Sequence, residues 1–424
     1  MGTPMSNVTP LARDSREGVF VARQPILNRT GGVFGYELLY RAGADATSCE
    51  APSDLAASRV LTDAVLNLGL DALTGGRKAF INVSRTLLLS GHATLLPPKA
   101  VVLEVLEGVS VDDPVLKTCR TLREHGYALA LDDYVPSTSS APLLPLVSFV
   151  KVDVLATRRD DWAAIRRAMP STITLIAEKV ESAEVHDELQ KLGYHLFQGY
   201  YFCRPTTFQA GALAGNRLTY TRLLAALNNE NVTVAQIEDL IKHDASLSYR
   251  TLRCINSAAY GIRRQIQSIR QAVVLLGIDQ VRKWASVWAL AGLNEGATGE
   301  LLSIAILRAR ACELIAQTIL PYEEASEYFL LGLCSLLDVI LRRPLDEALK
   351  ELPISESIRG ALLGDTNRAR AVLETVIAYE RANWDTALKW SAQAGVQVSK
   401  LPEVYANALR WAHEMKQAAR IAAV

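Results

Sequence analysis

The sequence of 424 residues contains no run of about 18 uncharged apolar residues, the length that a membrane-spanning helix requires. It has no Cys-x-x-Cys pair. The six cysteines, Cys49, Cys119, Cys203, Cys254, Cys312 and Cys334, are scattered along the chain, which argues against a zinc site and a disulfide framework and for reduced, mostly buried thiols. An excess of one charge is also missing. With 45 basic and 45 acidic residues the formal charge is zero, which excludes affinity built on neutralising a phosphate backbone; no basic, aromatic stripe appears, so no nucleic-acid partner is expected. The opening stretch "MGTPMSNVTPLARDSREG" lacks an apolar core of signal-peptide type; residues 1–17 read as a disordered lead and the protein as cytoplasmic. Half of the residues are hydrophobic and 21 % are charged, an ordinary globular composition, and the length implies two to three domains.

The two halves of the chain are written differently. From residue 18 to 210, short apolar runs rich in β-formers ("VFVARQPI", "VFGYELLYR", "KAFINVS", "AVVLEVLE", "YALALDD", "SFVKVD", "TLIAEKV", "HLFQGYYF") alternate with amphipathic stretches such as "DLAASRVLTDAVLNLGL", "PVLKTCRTLREHG", "DDWAAIRRAM" and "SAEVHDELQKLG". Such alternation implies βα units and a parallel sheet, and about eight runs suggest a small TIM-like (β/α) barrel. Beyond residue 210 the apolar spacing is i, i+3, i+4 with no strand-like run, so residues 215–415 are expected to form an all-helical bundle. The expected class is therefore α/β plus all-α.

Each run from the second onward ends at or near a polar residue that a buried strand would not choose. These are Glu37, Asn82, Glu104, Asp132 with Asp133, Lys151, Glu178 and Gln198. After a first gap of 45 residues they are spaced by 19 to 28, roughly one βα unit each. A single polar residue at a strand end is most often a turn or cap residue. A whole succession of them is harder to explain that way, because in a parallel barrel these ends share the rim where active sites sit. Five carboxylates on one rim repel one another and take up protons unless a cation neutralises them, and oxygen-only ligands favour Mg²⁺ or Mn²⁺. Asp132 and Asp133 leave one strand end in opposite directions, so one can face each of two metal ions, or one can bridge them. Two ions about 3.5–4 Å apart clamp a phosphodiester and activate a water.

The motifs "YELLYR", "FINVS", "LEVLE", "LDDY", "VKVD", "AEKVE" and "QGYYFCRP" resemble the successive motifs of EAL domains, which hydrolyse the bacterial messenger cyclic di-GMP to pGpG. The resemblance implies that Glu37, Asn82, Glu104 and Asp132 hold one metal ion and Asp133 with Glu178 the second. It also implies that Lys151 orients or deprotonates the attacking water, that Gln198 supports the water and metal shell, and that Arg41 grips a substrate phosphate. Glu107 and Glu181 resemble acids that hold the loop after the Asp pair, although solvated surface charge explains them equally well. That loop reads "DDYVPSTSSAPLL", with Pro136 and no glycine, where active relatives carry a Gly-rich stretch; its backbone must take another shape.

"KHDASLSYRTLRCINSAAYG" and "SIRQAVVLLGIDQVRKWASV" resemble HDOD domains, relatives of metal-dependent HD phosphohydrolases that lack the metal-binding residues. The His243-Asp244 dipeptide is not the HD pair: the matching stretch is "GLCSLLDVIL", with Ser335 and Leu336 in the His and Asp places. Trp284 and Trp288 share one helix face and are expected in the core. The whole is similar to YuxH-type EAL–HDOD signalling proteins. Two functions stay open: a Mg²⁺- or Mn²⁺-dependent cyclic di-GMP phosphodiesterase with an HDOD signalling domain, or a catalytically impaired barrel that senses the nucleotide or binds protein as a scaffold. A protein partner of the HDOD domain and a homodimer are expected, with no membrane association.

Overall fold

Between the first two apolar runs stands only "LNRTGG", too short for a helix and right for a hairpin. The computed structural model describes residues 19–42, 69–136, 140–201, 224–242 without 228 and 230, 266–341 without 267 and 294–298, and 343–421 without 351 and 353. In it strand β1 (Val19–Asn28) returns directly into β2 (Val33–Ala42). Asn28 caps the turn: its Oδ1 accepts from the Thr30 and Gly32 amides at 3.0 and 2.8 Å, and Gly31 takes a left-handed φ of 77°.

Six further strands follow: β3 (Lys78–Val83), β4 (Val101–Val105), β5 (Ala128–Leu131), β6 (Phe149–Asp153), β7 (Thr174–Glu178) and β8 (Leu196–Gln198). The eight close into a barrel in sequence order. The expected barrel is present, but the sheet is not all parallel. Strands β2 to β8 run parallel, whereas β1 is antiparallel to both neighbours, β2 and β8. The hairpin is the physical reason, since a tight turn can join only antiparallel strands.

Strand alternation divides the side chains between two faces. Outward-facing Ala79, Ile81, Val83, Leu103, Leu129, Val152 and Leu175 pack in the main apolar core. Helices that contribute to that core include α1 (Asp113–Glu124), through Val115, Cys119 and Leu122, and α2 (Arg159–Ala168), through Trp162 and Ile165. A third, α3 (Ala183–Leu192), adds Leu189 and is capped by Ser182, whose side chain accepts from the Val185 amide. Inward-facing Ile26, Phe80, Val102, Ala130, Ile176 and Leu196 form a separate apolar layer inside the barrel, with Phe34 and Phe149 against it. Phe80 and Phe149 meet edge to face at 5.4 Å, and a Cβ on Gly35 would approach the Phe80 ring to 3.0 Å. The barrel floor is therefore solid.

The second half is helical, as expected. Its helices include α4 (Val234–Lys242), α5 (Ile269–Leu276), α6 (Ile278–Leu293), α7 (Gly299–Ala316), α8 (Tyr322–Cys334), α9 (Leu337–Leu341), α10 (Arg368–Glu380), α11 (Trp384–Ala394) and α12 (Leu401–Ile421). The continuous periodicity of "EYFLLGLCSLLDVILRRP" breaks at Ser335 and Leu336, between α8 and α9. Ser335 Oγ donates back to the Gly332 carbonyl at 2.7 Å and accepts from Arg308 Nη1 at 3.3 Å. Helices α7 and α8 pack closely at Gly332, where a Cβ would lie 2.3 Å from the Arg308 carbonyl. Cys119, Cys312 and Cys334 are buried free thiols. His243-Asp244, residues 54–68 of the first amphipathic stretch, Cys49, Cys203, Cys254, loop residues 137–139 and the side chains of Trp284 and Trp288 lie outside the described residues.

The halves touch. Phe20 on β1 meets Tyr379 and Trp384 with ring centroids 5.9 and 5.8 Å apart, and Tyr36 on β2 donates to Glu300 on α7 at 2.9 Å. Among the described residues no helix is long and apolar enough to cross a membrane. Phe80→Ala opens a void in the barrel floor and is expected to lower unfolding free energy by about 3–5 kcal/mol, measured by denaturant titration. A loss below about 1 kcal/mol would show that the floor is not packed as described.

Candidate active site at the barrel mouth

The apolar floor predicts what lies above it. Two residues further along a strand, a side chain faces the same side. From Phe80, Val102, Ala130, Phe149, Ile176 and Leu196 that step leads to Asn82, Glu104, Asp132, Lys151, Glu178 and Gln198, and from Gly35 to Glu37. On reversed β1 the step runs backward, from Ile26 to Gln24. One polar ring thus crowns one apolar layer.

At its centre is the Lys151 ammonium. Nζ lies 3.2 Å from Glu37, 3.1 Å from Glu104, 2.9 Å from Asp132 and 2.8 Å from Glu178. Lys151 is 1 % exposed and Glu104 fully buried, so water screens these charges little. Burial alone would lower the Lys151 pKa, but the four carboxylates raise it well above the ordinary lysine value. Burial pushes Glu178 up to about 8 against the pull of Lys151, and raises Glu104 and Asp132 in the same way, with the neighbouring carboxylates adding to the rise. Glu37 goes the other way. Burial opposes its charge, yet Lys151, Gln198 Nε2 at 2.6 Å and Asn82 Nδ2 at 3.1 Å together hold it below the usual carboxylate value.

Asp133 reaches the same mouth by a turn. Its φ of 40° is left-handed, a strained conformation that follows the inward Asp132, and Lys179 after Glu178 repeats it at 55°. The chain then ties back through the Tyr134 amide to the Lys151 carbonyl at 2.9 Å. Burial and the charge of Asp133 push Glu107 above the usual carboxylate range, which sets these two acids side by side. Above the ring opens a cavity of about 460 Å³, lined among others by Glu37, Asp132, Asp133, Lys151, Glu178 and Gln198. Glu181 and Lys179 lie on its wall.

Six of the expected site residues therefore gather around the ammonium of a seventh, Lys151, and Asp133 borders the cavity above it. Arg41 does not line that cavity; its Nη1 pairs with Asp385 of α11 at 3.1 Å. Three contributors escaped the sequence reading. Gln24, which accepts from Gln198 Nε2 at 3.0 Å, stood in the sequence as a polar residue inside "VARQPI", but a strand assumed parallel puts its rim at the wrong end. Tyr200 stands inside the last motif, "QGYYFCRP", without a polar strand-end position of its own. Arg381 comes from a helical stretch that carries no motif.

Among the described residues no three acidic, histidine or cysteine side chains already form a set of metal ligands, because the ammonium lies among the carboxylates. The donor set nonetheless fits a hard cation. Asn82 Oδ1, both Glu104 carboxylate oxygens and Gln198 Oε1 are buried acceptors with no hydrogen-bond donor, Glu104 Oε1 standing within ion-pair range of Lys151 but outside hydrogen-bond geometry.

Residues 11–205 match the EAL domain family and residues 217–352 the HDOD domain family. The chain is 33 % identical over 411 residues to the uncharacterized protein YuxH of Bacillus subtilis, a match spanning 94 % of this chain and 99 % of that protein. It belongs to the EAL–HDOD family. It is also similar to the cyclic di-GMP phosphodiesterase CdgJ of Vibrio cholerae, 28 % identical over 408 residues and spanning 95 % of this chain and 94 % of that one. Cyclic di-GMP phosphodiesterases are thus among the relatives of this EAL–HDOD protein. Of solved structures, the Klebsiella pneumoniae BlrP1 manganese/cyclic di-GMP complex is 25 % identical, covers 46 % of this chain and 57 % of that chain, and has a TM-score of 0.37. Within the residues matched by the HDOD family, Ser335 is bonded to Arg308 and Leu336 is buried.

A raised carboxyl pKa means that folding takes up a proton. Between the ordinary carboxyl range and about pH 8 the folded EAL domain holds a proton on Glu178 that the unfolded chain has released, so stability falls as pH rises through that window. A divalent cation bound among these carboxylates would replace that proton. Added Mn²⁺ is therefore expected to raise the melting temperature more at about pH 8.5 than at about pH 5.5. Equal shifts at both values, or a larger one in acid, would contradict this account of the ring.

Proposed function

We propose that this EAL–HDOD protein hydrolyses cyclic di-GMP to pGpG at the barrel mouth with two divalent ions, Mg²⁺ or Mn²⁺. The observation that carries the reading is the ring itself: carboxylates and buried, donor-less oxygens convergent on one point, above an apolar floor and below a cavity of about 460 Å³. Glu37, Asn82, Glu104 and Asp132 would hold one ion and Asp133 with Glu178 the other. Bound there, the ions would polarise the phosphodiester and lower the pKa of a water.

The residues of the chain have their own parts in this reading. Lys151, held protonated by four carboxylates, acts as a fixed cation. It orients the attacking water and offsets the negative charge that grows on the phosphorus oxygens, and its raised pKa makes it a poor base. Glu178, pushed up to about 8, keeps a proton near neutral pH and would become a carboxylate ligand once a bound ion displaces that proton. Gln198 fixes Glu37 and, with its free Oε1, offers an acceptor to water. Exposed apolar Val274 and Leu275 on α5 support a protein partner for the HDOD domain.

The scaffold reading has one observation in its favour: Arg41, expected to grip a phosphate, is engaged by Asp385. A single comparison separates the two. Purified protein with Mn²⁺ in excess should form pGpG, Glu37→Ala should abolish this, and Lys151→Ala should cut kcat by about 10²–10³ while leaving the dissociation constant of cyclic di-GMP within a few-fold. Nucleotide binding without any product in the unmodified protein would leave the scaffold standing. Undiminished turnover in Lys151→Ala would remove the lysine from the mechanism.

A further inference from the structure

The turn between α10 and α11 belongs to the helical half but sits on the barrel mouth. The residue that leads into it, Glu380 at the end of α10, is buried and paired with Arg308 of α7, Nε to Oε2 at 2.9 Å. Tyr200 Oη donates to the Glu380 carbonyl at 3.1 Å, Gln24 Nε2 donates to the Arg381 carbonyl at 3.4 Å, and Ala382 takes a left-handed φ of 53°. Three residues on, Asp385 holds Arg41. The turn is thus anchored from both halves, and both Arg381 and Ala382 line the cavity above the carboxylate ring.

Charge gives Arg381 a task. Five acids border that cavity, namely Glu37, Asp132, Asp133, Glu178 and Glu181, against three cations, Lys151, Lys179 and Arg381. Lys151 is taken up by four carboxylates, and Lys179 by Asp153. Arg381 makes no ion pair among the described residues: the nearby Glu380 is already bound by Arg308, and the Arg381 guanidinium stacks over the Tyr200 ring at 4.8 Å. Stacking orients the planar group by its face and leaves its N–H edge to bind. A cyclic dinucleotide carries two phosphates, only one of which reacts. The other must be accommodated in a cavity whose wall is predominantly anionic.

We propose that Arg381 is a substrate-binding residue contributed by the helical half, whose Tyr200-stacked guanidinium grips the non-reacting phosphate of the cyclic dinucleotide. This rests on the cyclic di-GMP reading above. It makes the site composite: the barrel supplies the reacting centre, and the turn supplies the cation that Arg41, bound to Asp385, does not place in the cavity.

The test is calorimetric titration of the full-length protein with cyclic di-GMP in the presence of Ca²⁺, together with steady-state kinetics in Mn²⁺, for the unmodified chain, Arg381→Ala and Arg381→Lys. Arg381→Ala is expected to weaken binding by about ten-fold or more and to raise KM by a similar factor with a much smaller effect on kcat. Arg381→Lys, which keeps the charge but not the fork, should recover part of the loss at an unchanged melting temperature. Unaltered affinity in Arg381→Ala overturns the assignment, as does a rise in turnover, which would make the turn a plug. A loss that falls on kcat alone, or one that Arg381→Lys does not relieve, also overturns it. If the unmodified protein binds without hydrolysis, only the enzyme reading fails and the affinities still decide the role of Arg381. If it neither binds nor hydrolyses, the cyclic di-GMP reading fails and takes this assignment with it.

Discussion

A protonated amine buried among four carboxylates is the constraint around which the barrel is arranged. Desolvating Lys151 alone would drive it to neutrality, and desolvating Glu104 or Glu178 alone would do the same to the acid. The charge of Lys151 exists because the carboxylates surround it and that of Glu37 because Lys151 does, while Glu104, Asp132 and Glu178 hold protons more readily than ordinary acids. The ring is therefore a poor device for stability, since well-packed apolar residues would satisfy the same volume more cheaply. It persists on a floor of Phe34, Phe80 and Phe149 that closes the barrel from below and holds each strand at the height where its polar residue meets the lysine. A rigid apolar layer beneath and strained turns at Asp133 and Lys179 above confine the polar groups to a narrow slab.

A second buried charge pair extends this order into the helices. Arg308 and Glu380 pack where α7 approaches α8 so closely that Gly332 has no room for a side chain, and Arg308 also touches Ser335. From Glu380 the polar contacts run onward through the Arg381 carbonyl to Gln24, from Gln24 to Gln198 and from Gln198 to Glu37. The interior of the helical half and the mouth of the barrel are thus connected by hydrogen bonds joined through the peptide link between Glu380 and Arg381.

Much of this was legible beforehand, and the reasons are specific. Glu37, Asn82, Glu104, Asp132, Lys151, Glu178 and Gln198 were visible because a polar residue at the end of an apolar run conflicts with burial, and a conflict repeated along the chain marks a site. Gln24 carried the same conflict and was passed over, since the "LNRTGG" hairpin that reverses β1 was not weighed against the βα rhythm. Arg381 and Asp385 left no trace at all: in isolation they are charged residues at a helix junction, and only the docking of the two halves brings them to the mouth. The fate of Arg41 follows from the same docking. Motifs report what a chain folds locally, and they are silent about what a distant segment lays on top.

The reversed first strand has a mechanical effect. β1 and β2 form one stiff ribbon, clasped by α10 and α11 through Phe20 at its entry and by Asp385 through Arg41 at its exit. Glu37 rides on that ribbon four residues from Arg41, about 13 Å along an extended strand. Among the described residues this ribbon is held by the second half of the molecule. With its outer end against the helices and Glu37 beside the ammonium, the ribbon would carry a small rotation of one half against the other to that carboxylate.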